Sequence, residues 1–377
     1  MARRAHAGAR GAWVSGETSK LPVRASRGVV VANHPLASAA GAQMFARGGN
    51  AVDAAMAACL AASVVEPAMS SIFGAGFVLI RLAGARTVAL DNYIRSPAAA
   101  RDGMFEFSSV AGGSFEVEGR LNDLGHLAVG VPGALRAYHE AVTRFGRLAW
   151  REVCAPAVEY ARVGFPATPL LADAIRVHAG DIATYPETAA VFLPGDKPPS
   201  PGDRIVRNDY AATLEAIAAE GPELLYSGPL GRAVCDDMRR NQGLLTEDDL
   251  RAYRVRERAA VVTTYKGYEI IGMGPCSSGG TAVGQALNLL ELLDLGSAGF
   301  GSARGPPCGG GPEGRVRRPQ RLHGRSRRLQ RARGVVDVEG VRRSPPLGNP
   351  SGRRLRSRTG RSGRWRAGGG GSPAGHG

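Results

Sequence analysis

The sequence predicts a mixed α/β fold between residues 28 and 298. Two stretches rich in alanine and other small residues have the spacing and the end signals of helices. Short apolar runs of strand length, bounded by glycine-containing turns, indicate β-strands. Of the 377 residues, 44% are hydrophobic, which is enough to form a core. The region therefore has the composition of an ordinary folded domain.

The first elements of this region are a short strand and a helix. Residues 29–32 form a mostly β-branched run that is too short for a helix, so we expect a buried strand. Pro35 suits the first turn of a helix, where its missing N–H would have no intrahelical partner. Gly48 and Gly49 are expected to end this helix, because glycine adopts the left-handed cap conformation without penalty. Its buried stripe repeats every four residues, at Leu36, Ala40 and Met44.

A second helix and a hairpin follow. Asn50 is expected to cap the helix, with the negative charge of Asp53 in the first turn, and Pro67 is expected to stop it. Two apolar runs, residues 77–82 and 87–90, are joined by Ala-Gly-Ala. This pattern predicts an antiparallel hairpin.

The later elements are mainly helical. Residues 130–133, Gly-Val-Pro-Gly, form a turn into a helix. Asp209 is expected to cap a helix over residues 210–220, and Thr246 with Asp249 forms a capping-box-like start to another. The acidic residues near helix starts are interpreted as dipole partners and surface charge rather than metal ligands: Asp236, Asp237, Glu247, Asp248 and Asp249.

The charge of the chain is concentrated at one end. The formal net charge is +15, but residues 301–377 hold 19 arginines, no lysine and three acidic residues, a net charge of +16. The other 300 residues have a net charge of −1. Residues 299–377 are too poor in apolar side chains to form a core, so we expect a disordered tail. Their Gly/Arg/Pro mixture is typical of GC-rich codons translated out of frame, so we favour a frameshift. The alternative is a real basic tail that binds nucleic acid.

No cofactor, metal or membrane segment is predicted. The histidines show no metal-binding spacing, and the five cysteines show no CxxC spacing, so neither a zinc site nor a disulfide framework is indicated. Residues 1–27 lack the apolar core of a signal peptide and are expected to be a disordered leader. No apolar stretch is long enough to span a bilayer. We therefore expect a cytoplasmic protein.

Several blocks of the sequence have a recognisable pattern: HPLASAAGAQMFARGGNAVDAAMAA at residues 34–58, AVGVPG at 128–133, and the stretches 145–172 and 193–255. These blocks resemble the γ-glutamyltransferase (γ-glutamyltranspeptidase, glutathione hydrolase) family of N-terminal-nucleophile hydrolases. The resemblance covers residues 28–298, the large-subunit portion. It implies the four-layer αββα sandwich of the family, incomplete here because the small-subunit half is missing. The core sheet would then have exposed edges, which favour aggregation.

The resemblance implies one substrate-binding residue. The family usually has Asp-Gly-Arg-Glu-x-x-Pro, and its arginine grips the α-carboxylate of the glutamyl substrate. When Asp91 and Pro97 are aligned with the first and last residues of this motif, Tyr93 falls at the arginine position and Ile94 at the glutamate position. Arg95 lies two residues beyond Tyr93, so it can face the same way along a strand and supply the guanidinium instead.

The nucleophile of the family is not expected in this chain. In the family, a threonine at the start of the small subunit attacks the γ-glutamyl amide, and its own amino group is the base. Thr263-Thr264-Tyr265 resembles that signature but lies in a large-subunit strand, and Ser277-Ser278-Gly279-Gly280 is a large-subunit turn. We assign no catalytic residue and expect the chain to be inactive alone.

Three functions are compatible with this reading. The first is γ-glutamyltransferase or glutathione hydrolase activity on a γ-glutamyl substrate such as glutathione, in partnership with a small subunit. The second is a cephalosporin-acylase-like amidase, which the departure at Tyr93 and Ile94 favours. The third is a non-enzymatic basic-tail binder, which requires a tail that is translated and retained.

Overall fold

The computed structural model describes residues 23–26, 28–107 and 117–293. The described helices are α1 (Pro35–Ala46), α2 (Ala51–Val65), α3 (Ala134–Phe145), α4 (Trp150–Val163), α5 (Pro169–Val177), α6 (Ala179–Ala183), α7 (Pro186–Phe192), α8 (Asn208–Glu220), α9 (Glu223–Tyr226), α10 (Pro229–Arg240), α11 (Glu247–Ala252) and α12 (Gly279–Glu291). Short 3₁₀ helices span Glu118–Arg120, His126–Ala128 and Pro194–Asp196. The predicted tail, and all of the predicted leader but residues 23–26, lie outside the described residues.

The strands form three small antiparallel sheets. They are β1 (Gly76–Arg81), β2 (Thr87–Asn92), β3 (Phe165–Pro166), β4 (Arg204–Ile205), β5 (Arg256–Arg258), β6 (Val261–Tyr265) and β7 (Tyr268–Gly272). The largest sheet has the order β1-β2-β5, while β3 pairs with β4 and β6 with β7. The predicted hairpin is confirmed, with Phe77 opposite Asp91 in the register. Helix α12 packs on the β6-β7 pair.

Helices α1 and α2 begin and end where the local sequence predicts. Pro35 is the first residue of α1, and the Nδ1 atom of His34 accepts a hydrogen bond from the Leu36 N–H at 3.1 Å. Ala40 and Met44 are buried against the rest of the fold. The helix ends at Ala46, just before Gly48, whose φ of +86° is the left-handed conformation that glycine favours.

Asp53 does more than complete the cap of α2. Its carboxylate accepts from the Asn50 N–H at 2.7 Å, while the Asn50 side chain accepts from the N–H groups of Val52 and Asp53. The same carboxylate accepts from the backbone N–H groups of Arg147 and Leu148, in the loop between α3 and α4. Asp53 is fully buried. One side chain therefore fixes the start of α2 to a loop almost a hundred residues later in the chain.

The prediction of a buried strand at residues 29–32 is wrong. Val29 and Val31 are 52% and 88% exposed, while Val30 and Ala32 are partly buried, Val30 against α1 at Gly41. The segment is held instead by the Ala32 N–H, which donates to the Ser38 hydroxyl at 3.0 Å. Within residues 28–107 and 117–293, no strand pairs with this run. A β-branched run becomes a strand only where a neighbouring strand satisfies its backbone groups.

The prediction that Asp209 caps α8 is also wrong. The helix begins one residue earlier, at Asn208, after Arg207. The Arg207 guanidinium donates to the carbonyl oxygens of Ser63 and Val64 at the end of α2, at 2.9 and 3.2 Å, and stacks 4.1 Å from the ring of Tyr210. Burial lowers the pKa of Arg207. This arginine caps α2 and fixes the chain before α8, so Asp209 falls within the first turn.

The core lies between the helices and one face of the larger sheet. Helix α2 packs between α1 and α4, and α4 also packs against α8. Large side chains from α2, β2, α3 and α8 are fully buried there, including those of Leu60, Leu90, Leu135, Leu214 and Ile217. Searching the described residues finds no helix that is both long and apolar enough to cross a membrane.

Candidate functional site

The segment at residues 93–95 leaves the end of β2 and runs beside the Gly-Val-Pro-Gly turn. Arg95 and Val131 form an antiparallel bridge, with N–H to O distances of 3.3 and 2.8 Å. Gly130 lies against Ile94, and a Cβ atom built at Gly130 would be 2.6 Å from the Ile94 Cγ1 atom. The turn therefore serves as a second backbone partner for the segment, in addition to leading into α3.

Asp91 anchors the start of this segment. It is buried and accepts hydrogen bonds from the Tyr93 N–H at 3.0 Å and from Arg258 Nε and Nη2 at 3.0 and 2.9 Å. Burial alone would raise the pKa of Asp91, but the hydrogen bonds from Tyr93 and Arg258 outweigh it, and the pKa lies below its usual value. The carboxylate is thus a fixed structural charge that is already neutralised by Arg258.

Arg95 is held without a carboxylate partner. Its Nη2 atom donates to the carbonyl oxygen of Arg254 at 3.1 Å, and its guanidinium carbon lies 5.1 Å from the centre of the Tyr253 ring. Among the described residues, Arg95 forms no ion pair with an acidic side chain. These two contacts order the guanidinium without neutralising its charge, so the charge is available to an anion.

Tyr93 and Ile94 present apolar surface beside Arg95. They are 51% and 41% exposed. The Tyr93 ring stacks on Phe77 of β1, with centroids 5.2 Å apart and planes 3° from parallel. The site therefore combines one ordered cation with an aromatic pair and an exposed aliphatic side chain.

Tyr253 is the residue of this site that sequence reasoning missed. Its hydroxyl donates to the carbonyl oxygen of Tyr93 at 2.9 Å, and its ring lies beneath Arg95. Burial raises the pKa of Tyr253 to about 12, so the hydroxyl remains a donor at neutral pH. Because Gly133 has no side chain, the Tyr253 hydroxyl can pack directly against its backbone. The glycine of the Gly-Val-Pro-Gly motif could have indicated that another group packs closely against this turn, but the sequence does not show that this group is Tyr253.

The two nucleophile-like motifs occupy structural positions. Thr263 lies within β6, and its hydroxyl donates to the Asn288 side-chain oxygen at 2.9 Å. The Ser277 hydroxyl accepts from the Gly279 N–H at 3.2 Å, at the start of α12. Neither motif lies in the segment that holds Arg95. In the described part of the chain, no group of three or more His, Cys, Asp or Glu residues is placed to hold a metal ion.

Comparison with known proteins identifies the family. The family model of γ-glutamyltranspeptidase matches residues 37–306. The chain belongs to the γ-glutamyltranspeptidase family. It is 50% identical over 284 residues to the acylase ACY 1 proenzyme of Pseudomonas sp. (strain SE83), covering 75% of this chain and 51% of that protein. It is 36% identical over 283 residues to the glutathione hydrolase proenzyme of Escherichia coli (strain K12), covering 75% of this chain and 48% of the relative.

A solved structure of a γ-glutamyltranspeptidase has the same fold. The Helicobacter pylori γ-glutamyltranspeptidase matches with a TM-score of 0.70 and 34% identity, covering 75% of this chain and 80% of that one. The likeness confirms the α/β class and the N-terminal-nucleophile hydrolase fold that the sequence predicts. This γ-glutamyltranspeptidase family member spans about half the length of the curated relatives it matches.

Proposed function

We propose that this chain is the large-subunit part of an enzyme that cleaves or transfers an acyl amide of the γ-glutamyl type, and that Arg95 binds the substrate carboxylate. The observation that carries the proposal is the ordered guanidinium of Arg95, which has a carbonyl and an aromatic ring as partners. A bidentate arginine–carboxylate contact would use the remaining N–H groups. Asp91 does not compete, because Arg258 already neutralises it.

Within this proposal the nucleophile comes from a small subunit. Exposed apolar side chains occur on β1, β6, β7 and α12, where a partner would cover them: Leu79, Val262, Tyr268, Val283 and Leu289. Both curated relatives are named proenzymes, which is consistent with processing into two parts. The Thr263 hydroxyl donates to the Asn288 side chain and the Ser277 hydroxyl accepts from the Gly279 N–H, which supports their exclusion as nucleophiles.

The full chain is expected to neither process itself nor turn over substrate. The measurement is mass spectrometry of the purified chain after prolonged incubation, together with release of nitroaniline from γ-glutamyl-p-nitroanilide. A Thr263→Ala, Thr264→Ala double variant is the matched control, because it removes the threonines that resemble the family signature. Turnover by the full chain that this variant loses would overturn the assignment of the nucleophile to a small subunit.

Arg95→Ala is expected to weaken carboxylate binding by the full chain about tenfold or more, since a charge-assisted pair contributes about 1.5–3 kcal/mol. The measurement is isothermal titration calorimetry with glutarate, which reports binding by wild type and variant alike. Arg86→Ala is the control, because Arg86 is exposed on the hairpin turn and its ion pair with Glu257 is long, at 3.9 Å. Equal binding by wild type and Arg95→Ala would contradict the role of Arg95.

A cephalosporin-acylase-like amidase is the second candidate. The 50% identity to an acylase proenzyme exceeds the 36% identity to a glutathione hydrolase proenzyme. Ile94 also presents an exposed apolar side chain at the position where the family usually has glutamate. Glutamate differs from glutarate only in carrying an α-amino group. Tighter binding of glutarate would favour the acylase, and tighter binding of glutamate the γ-glutamyl enzyme.

A further inference from the structure

We infer that Tyr253 is a positioning residue that sets the geometry of the proposed carboxylate site at residues 93–95. This inference rests on the proposed role of Arg95. Tyr253 is buried and does not reach solvent beside the site, so it acts through the residues that it holds.

Tyr253 contacts the segment on both sides of Ile94. Its hydroxyl donates to the carbonyl oxygen of Tyr93 at 2.9 Å, which fixes the backbone before Ile94. Its ring supports the Arg95 guanidinium at 5.1 Å, which fixes the side chain after Ile94. The carbonyl of the next residue, Arg254, accepts from the same guanidinium at 3.1 Å. Residues 253 and 254 thus define where the charge of Arg95 lies.

Tyr253 is itself held by a stack of aromatic and guanidinium groups. Its ring lies 6.0 Å from the ring of Tyr226, at an angle of 24°. The guanidinium carbon of Arg136 lies 4.1 Å from the centre of the Tyr226 ring, and Arg136 pairs with Glu223 at 2.7 Å. Four planar groups therefore run from α3 to the site, and Arg95 is the outermost of them.

This arrangement reduces the conformational freedom that Arg95 would lose on binding an anion. An arginine side chain free in solvent has many rotamers, and ordering it opposes binding. The stack orders the guanidinium in advance through an aromatic face and a carbonyl, and neither of them neutralises its charge. Removing the Tyr253 hydroxyl frees the Tyr93 carbonyl and loosens the backbone from which Arg95 projects.

A pair of hydroxyl deletions tests the inference. Tyr253→Phe and Tyr210→Phe each remove one hydrogen-bonded hydroxyl, and the Tyr210 hydroxyl pairs with the Ser63 hydroxyl at 2.8 Å, between α8 and α2. Both variants keep the ring and are expected to lower the melting temperature by similar amounts. In the full chain, Tyr253→Phe is expected to weaken glutarate binding about three- to tenfold, and Tyr210→Phe less than about twofold.

Two results would overturn the inference. One is wild-type glutarate binding by Tyr253→Phe, and the other is an equal loss in Tyr210→Phe, which would show that Tyr253 only stabilises the fold in general. The Arg95→Ala variant is titrated in parallel. If Arg95→Ala weakens binding while Tyr253→Phe does not, the positioning role fails and the proposed carboxylate site stands. If Arg95→Ala binds like wild type, the proposed site fails, and the inference fails with it.

Discussion

Replacing Gly133 with alanine is expected to lower the free energy of unfolding by about 3 kcal/mol, because the new methyl group has no room. A Cβ atom at this position would overlap the Tyr253 hydroxyl and the Asn92 carbonyl oxygen, and it would lie 2.6 Å from the Tyr253 Cζ atom. The Asn92 oxygen is a backbone atom and cannot turn away. The backbone of Gly133 has a negative φ of −125°, so the cost is steric.

Urea denaturation measures this effect, and Gly180→Ala is the matched control. Gly180 lies within α6, and a Cβ atom there would meet nothing within 4 Å. The control is expected to be neutral or stabilising by up to about 1 kcal/mol, because alanine has the higher helix propensity. In a Tyr253→Phe background the cost of Gly133→Ala should fall, since part of the overlap disappears. Equal stability of Gly133→Ala and wild type would contradict the packing of Tyr253 described above.

Replacing Asp53 with alanine is expected to lower the free energy of unfolding by about 4 kcal/mol, because three backbone N–H groups lose their acceptor. These belong to Asn50, Arg147 and Leu148, and the carboxylate that serves them is fully buried. Asp53→Asn keeps one acceptor oxygen and is expected to fall between the alanine variant and wild type. The measurement is again urea denaturation.

Asp173→Ala is the control for Asp53. Its carboxylate is exposed and pairs with Arg176 three residues later, so the expected change is below about 1 kcal/mol. A similar small change for Asp53→Ala would show that water reaches the loop between α3 and α4 and replaces the carboxylate. Such a result would contradict the role of Asp53 as a link between distant parts of the chain.

The sequence predicted those features whose causes lie within a few residues. The starts of α1 and α2 depend on Pro35 and on Asn50 with Asp53, so they could be read directly. The same local reading failed at residues 29–32, because a strand depends on a partner that the pattern does not reveal. Asp209 was misplaced for a similar reason, since the long-range contacts of Arg207 set the start of α8.

The candidate site was predicted only in part. Arg95 was found by its spacing from Tyr93, and its role stays a proposal. The contacts that order it come from Tyr253 and Arg254, about 160 residues later in the chain, and no periodicity links them. Asp91 could be placed at the end of a strand, but its pairing with Arg258 could not.

The order of the larger sheet affects how the protein is made. The β1-β2 hairpin forms from neighbouring residues, but β5 completes the sheet with Arg258, which lies 167 residues after its partner Asp91. At ribosomal rates of about 5–20 residues per second, the hairpin waits about 10–30 s for its third strand. Throughout that interval Asp91 has no counter-charge from Arg258, and one edge of β2 is open. The nascent chain therefore presents an unpaired edge of β2, which can mispair with other strands, until residue 258 leaves the ribosome.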